Sequence, residues 1–159
     1  MNAVVLWIHL FSAVLFVGGS FFFWIVVMPL SHTITDDESK RTQIIGKMAK
    51  RFALITNPVL VVLVLSGIYN ASWYLQDWAD PFRTLSGELL FAKVVLVVIL
   101  IALIYLHGVY YGRKIVRLAE EKRVEELDRL RRHSRIVSYA NLGLMLAVTV
   151  LAVLLQIPP

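Results

Sequence analysis

The stretch LLFAKVVLVVILIALIYLHGVYYG, from Leu89 to Gly112, decides the fold. About 20 apolar residues at 1.5 Å rise suffice to cross the hydrocarbon of a bilayer, so a helix over this run spans a membrane. Two residues break its apolar pattern, Lys93 and His107. They lie fourteen positions apart, close to four helical turns, and so share a face, roughly 21 Å apart along the axis. An ionisable side chain is costly inside a span and marks a functional position by default.

Outward from that run the same character continues. Of 159 residues, 58% are hydrophobic, above the roughly 45–50% usual in soluble domains. The excess gathers into four segments, about 3–30, 52–75, 85–112 and 136–157, which predicts an all-α integral membrane protein with an antiparallel four-helix bundle over 1–159 as one domain. The first segment lacks a basic leader and exceeds the length of a signal core, so it reads as a retained span. Pro29 is expected to stop it, and Asn57-Pro58 to fall in the first turns of the second, where a missing N–H costs little. With no cysteine there is no disulfide, thiolate metal site or Cys-linked heme.

The connections differ in charge. Residues 31–51 carry Lys40, Arg41, Lys47, Lys50 and Arg51, and residues 113–135 carry nine more basic side chains, together fourteen of the sixteen Lys and Arg. The connection 76–84 has only Arg83 beside Asp77 and Asp80, with Trp73, Tyr74 and Trp78 as interface anchors. The positive-inside rule then predicts cytoplasmic loops at 31–51 and 113–135, with both termini outside a cell membrane. Asp36-Asp37-Glu38 is suited to open a helix, acids at its positive end. Ile115, Leu118, Leu127 and Leu130 recur at helical spacing among charges, as in solvated helix extensions meeting at a turn. Such a basic surface should attract anionic lipid, and nucleic acid is not needed to explain it.

Lipid is as apolar as leucine, so polar and small residues in spans mark helix contacts. Span 1 offers His9, Ser12, Gly18, Gly19 and Ser20; span 2 offers Thr56, Asn57, Ser66, Gly67 and Asn70. Span 4 offers Ser138, Asn141, Met145, Thr149, Ala152 and Gln156 as nearly one seam. With Lys93 and His107, every span has one polar stripe. Depth sorts these residues. His9 lies roughly 9 Å into span 1, and Lys93 lies at similar depth in a span of the same direction, so both belong to the outer half. His107 lies near the inner face with His32, His133 and Asn141, so His9 and His107 cannot clamp one heme between them.

His9 suits either a hydrogen bond to a neighbouring helix or the ligation of a metal or heme iron. Lys93 either snorkels outward or meets an anionic partner such as a tetrapyrrole propionate. His107, beside Tyr105, Tyr110, Tyr111 and Arg113, is interfacial. Copper(I) prefers soft sulfur, and this chain has four scattered methionines and no cysteine. No helix carries a metal-spaced histidine pair, and neither Ser-His-Asp nor P-loop chemistry has support in the sequence.

Residues Leu6–His32, LWIHLFSAVLFVGGSFFFWIVVMPLSH, resemble the first span of the CopD superfamily and of its relatives, the HemJ-type protoporphyrinogen oxidases. The shared features are an aromatic residue before the His, a Gly-Gly step and a Pro at the end, here Trp7, His9, Gly18-Gly19 and Pro29. Arg51–Tyr69 resembles their second span, with a small residue–Gly pair near its end, and Gly87–Arg113 their third, with Lys93 and His107. The resemblance implies a four-helix bundle binding heme b and active in electron transfer or protoporphyrinogen IX oxidation. In it His9 is the metal ligand, Lys93 the catalytic residue and substrate or propionate partner, and His107 a further cofactor-binding position. A tetrapyrrole or electron-carrier partner, a homo-oligomer or a respiratory complex subunit role would follow. The sequence departs from the HemJ pattern in span 4, where Asn141 is followed by Leu142-Gly143-Leu144 without the usual acid and proline, and in lacking an Arg after Pro29. A non-enzymatic CopD-like copper or metal transport module, or a respiratory-complex assembly or accessory subunit, is the alternative.

Overall fold

The computed structural model describes residues 2–72, 85–121 and 123–155, and all regular structure among them is helical. The first rod comprises α1 (Ala3–Phe22), a π segment (Phe23–Val27) and α2 (Met28–Ile34) without a break. The second is α3 (Glu38–Ala71). The third comprises α4 (Leu85–Tyr105), a second π segment (Leu106–Gly112) and α5 (Arg113–Glu120), and the fourth is α6 (Val124–Leu154). Each rod contains a helix long and apolar enough to cross a membrane. The protein is thus an all-α, multi-pass membrane bundle.

Local chemistry sets the helix starts. The Asn2 side chain caps the Val4 N–H at 3.0 Å. Asp37 caps α3, accepting from the Lys40 N–H at 3.1 Å, with Glu38 in the first turn, as the run of acids predicts. At 34 residues, α3 is about 51 Å long against about 30 Å of hydrocarbon, so its basic first half stands clear of lipid.

Two prolines behave differently from expectation. Pro29 does not stop the first rod, which runs on to Ile34 before Thr35 turns extended. The π segment ending two residues before Pro29 widens the turn whose i−4 carbonyl the proline ring would otherwise strike. Pro58 lies deep inside α3 rather than in its first turns, because the helix begins twenty residues before it, at Glu38.

Polar residues of the stripes are buried between the rods, around an apolar mid-bundle core, while the outside is apolar. Ser12, Ser20, Thr56, Ser66, Asn70, Ser134, Ser138 and Asn141 are buried, while Trp7, Val14, Ile55 and Val98 face outward. The buried hydroxyls are satisfied mainly within their own helices: Ser20 donates to the Phe16 carbonyl at 2.7 Å and Thr56 to that of Phe52 at 2.9 Å. Three stripe residues are corrected. Gly18, Asn57 and Thr149 are exposed, and the close approach belongs to Gly19, where an added Cβ would stand 3.1 Å from the Phe52 ring. Phe16, Leu60, Leu100 and Met145, one from each rod, form the mid-bundle core.

The basic end has its own small core of Leu118, Ala119 and Leu127, with Ile115 and Leu130 packed against it. Arg131 of α6 bonds Glu38 and, at 2.5 Å, the Thr42 hydroxyl of α3, and Ser39 donates to the Ala119 carbonyl at 3.2 Å. The helix extensions expected from the sequence are therefore clasped together. Trp73, Tyr74, Asp77, Trp78, Asp80, Arg83 and Gln156 lie outside the described residues.

Candidate functional site

His9 lies in the first turns of α1 and meets the last third of α3. Its Nδ1 is 3.0 Å from the Leu63 carbonyl oxygen and 3.0 Å from Ser66 Oγ. The Ser66 hydroxyl spends its proton on the Val62 carbonyl at 2.6 Å. Both neighbours of Nδ1 are therefore acceptors, and the ring hydrogen belongs on Nδ1. Nε2 is then left as a bare lone pair. Metal-binding histidines are held in this manner, one nitrogen anchored to a backbone carbonyl and the other presented to the ligand.

Gly67 makes the approach possible. A Cβ there would sit 3.1 Å from His9 Cε1 and 3.6 Å from Nδ1. Leu63, Ser66, Gly67 and Asn70 recur at three- and four-residue spacing and so form one stripe of α3. Asn70, one turn beyond Ser66, is 6% exposed, and neither Oδ1 nor Nδ2 has a hydrogen-bond partner. Such an orphaned amide is uncommon in a folded interior and calls for a polar group to meet it.

Lys93 approaches from α4. Its side chain is half-buried. Among the described residues it has no carboxylate partner, so its charge is uncompensated there. His9 on α1 and Lys93 on α4 both lie in the half of the bundle away from the basic end.

His107 stands apart from them, in the second π segment. Its Nε2 is 2.9 Å from Ser134 Oγ and 2.9 Å from Ser138 Oγ of α6, and Tyr111 stacks on its ring at 6.0 Å. Asn141, one turn deeper on the same face, is 8% exposed with Oδ1 unpartnered. This second polar cluster lies toward the basic end. Ser134 was missed because the sequence reading begins span 4 at residue 136; the seam of Ser138, Asn141 and Met145 extends one turn back to it. The Leu63 carbonyl carries no sequence signal at all, since any residue supplies one.

Among the described residues, no three His, Cys, Asp or Glu side chains gather as a metal cage. What the arrangement offers is one oriented imidazole nitrogen, a half-buried cation on α4 and, among the described residues, an unpartnered amide. A family model, copper resistance protein D, matches residues 46–155, which include Leu63, Ser66, Gly67, Asn70, Lys93 and His107 and leave His9 outside. Neither a curated protein nor a solved structure matches the chain.

Proposed function

The chain belongs to the copper resistance protein D family, and from that premise we propose that it is a non-enzymatic membrane module that handles copper, as a transport or assembly component. Family membership is the observation that carries this reading. His9 is the metal-binding residue, through the Nε2 left bare by its bonds to Leu63 and Ser66. Copper is cargo here, so a single imidazole suits passage better than storage. The basic ends face the cytoplasm by the positive-inside rule, which puts His9 toward the outer face.

A second reading is favoured by one specific observation, the half-buried Lys93 in the same half of the bundle as His9. A bare metal ion next to the Lys93 ammonium is repelled, and one imidazole is a poor cage for it. Heme b fits that donor set better, because the macrocycle brings four nitrogens of its own and two carboxylates. His9 Nε2 would hold the iron, Lys93 would pair with a propionate, and the Asn70 amide would meet a polar group. Bound heme would supply one-electron transfer. Protoporphyrinogen oxidation of the HemJ type is the finer form of this reading, with Lys93 as substrate partner.

Copper and iron content by mass spectrometry, with oxidised and dithionite-reduced spectra, test both readings on detergent-purified protein loaded with copper or heme. Copper near one per chain, lost in His9→Ala, supports the first. A Soret band lost in the same variant supports the second. Lys93→Leu separates them by sign: copper affinity rises when the repelling charge goes, whereas heme content falls. Protein that holds neither group sinks both.

A further inference from the structure

At the basic end, outside the His9 site, Lys114 and Leu118 of α5 face Glu126, Arg129, Leu130 and His133 of α6 around a cavity of about 210 Å³. Leu118, 4% exposed, forms an apolar floor with the half-buried Leu130. Two cations line the walls, and the one acid among them, Glu126, is already bonded to Arg123. Lys114 and Arg129 have no carboxylate partner among the described residues. His133 donates from Nδ1 to the Arg129 carbonyl at 2.9 Å, which turns Nε2 away from the backbone.

The position of this cavity in the bundle says what fills it. Lys114 lies over the Tyr110 ring at 5.4 Å, and Tyr110 packs edge-on against Tyr111 at 5.2 Å. Tyr110 and Tyr139 are 51% and 60% exposed. Exposed tyrosines at the end of a span mark the level of the lipid headgroups. A positive cleft with an apolar floor at that level meets a phosphate on one side and an acyl chain on the other. We propose that this cleft between α5 and α6 binds the phosphate of an anionic phospholipid, with Lys114 and Arg129 as its charge partners. The bound lipid braces α5 and α6 against the membrane surface. Basic pockets between helices at this depth are suited to such headgroups.

The test titrates the purified full-length protein in detergent with phosphatidylglycerol, phosphatidylcholine and inorganic phosphate separately, read by native mass spectrometry and melting temperature. Wild type should retain phosphatidylglycerol in preference to phosphatidylcholine. Each cation removed should weaken retention about fivefold, and Lys114→Gln with Arg129→Gln roughly thirtyfold. Lys47→Gln with Lys50→Gln removes the same charge from exposed positions of α3 outside the cleft and should change retention by less than about twofold. Equal retention of the two lipids by wild type overturns the proposal without any variant. An equal loss in the α3 control would mean diffuse surface charge, and saturation by inorganic phosphate alone would mean a free anion site; either result also overturns it.

Discussion

Gly67→Ala isolates the His9 anchor from the stability of the bundle. The added Cβ would lie 3.1 Å from His9 Cε1, inside the ordinary 3.4–4 Å contact range, so the ring must retreat by a few tenths of an ångström. It cannot do so and keep both 3.0 Å bonds, because Leu63 and Ser66 lie on the same helix as the new methyl. A hydrogen bond between membrane helices averages about 0.6 kcal/mol, with a maximum of about 1.7. Alanine in place of glycine returns about 0.8–1 kcal/mol of helix propensity. The two nearly cancel, so the melting temperature should move by no more than about 2–4 °C, the shift expected for 1 kcal/mol at this size. Binding should suffer far more, since a misaligned imidazole typically loses 10–100-fold in metal affinity. The assay is copper or heme titration of wild type, Gly67→Ala and Gly18→Ala in the same detergent. Gly18 is the control, with nothing within 4 Å of its Cβ. Unchanged affinity in Gly67→Ala at an unchanged melting temperature would refute the assignment of His9 as an oriented ligand. A melting temperature lowered by more than about 10 °C would refute the premise that the ring absorbs the strain.

Other consequences are as direct. Asn70→Leu removes an amide buried without partners and should stabilise the unliganded protein by about 1–3 kcal/mol, read as a higher melting temperature; a lower one would mean the amide is partnered. Ser134→Ala or Ser138→Ala alone should cost about 0.5 kcal/mol, while the double variant, which strips both hydroxyls from His107 Nε2, should cost more than the sum in a thermal double-mutant cycle. Arg131→Ala opens the clasp on Glu38 and Thr42. Because Glu38 is 41% exposed, the expected loss is only about 1 kcal/mol, shrinking with added salt. The Glu121 carboxyl is held below its ordinary range by the Arg117 hydrogen bond, aided by the Arg117 and Arg123 charges. Its contribution is present above the usual carboxylate range and is lost as pH falls through the lowered value, so acid titration followed by NMR should release Glu121 from Arg117 and Arg123 at low pH and leave the contacts intact at neutrality.

The bundle was legible because lipid inverts the usual contrast. When exterior and core are both apolar, a serine or asparagine reports a helix contact better than any leucine does. Ser12, Ser66, Ser138 and Asn141 are buried accordingly. Thr149 is an exception: it bonds the Met145 carbonyl at 2.8 Å, as the buried hydroxyls bond their own helices, and yet faces outward. Depth alone places His9 and Lys93 in the same half of the bundle, since both count down from the same face. The anchoring of His9 does not follow from depth, because its principal acceptor is a main-chain oxygen of Leu63. The prolines misled for a related reason. Their effect depends on where the hydrogen-bond ladder starts and on how wide its turns are, neither of which is written at the proline itself.

The π segment of the first rod has a geometric consequence for its phase. Ser12, Phe16 and Ser20 are buried at four-residue steps, and at about 100° per residue each step drifts some 40° around the axis. By Ser20 the buried line has precessed through nearly a quarter of the circumference. The five wider residues Phe23–Val27 give back about one residue of rotation, and Ser31, 1% exposed, returns to the side from which Ser12 started. The same widening lets adjacent side chains serve different neighbours, Phe23 stacking on Phe52 at 5.3 Å and Trp24 meeting Tyr139 at 5.4 Å. The segment is in effect a single inserted residue held in place as a phase correction. Excising one residue from it would leave a regular α-helix whose lower third still faces the same way, because deletion removes the same 100° that the wider turn gives back.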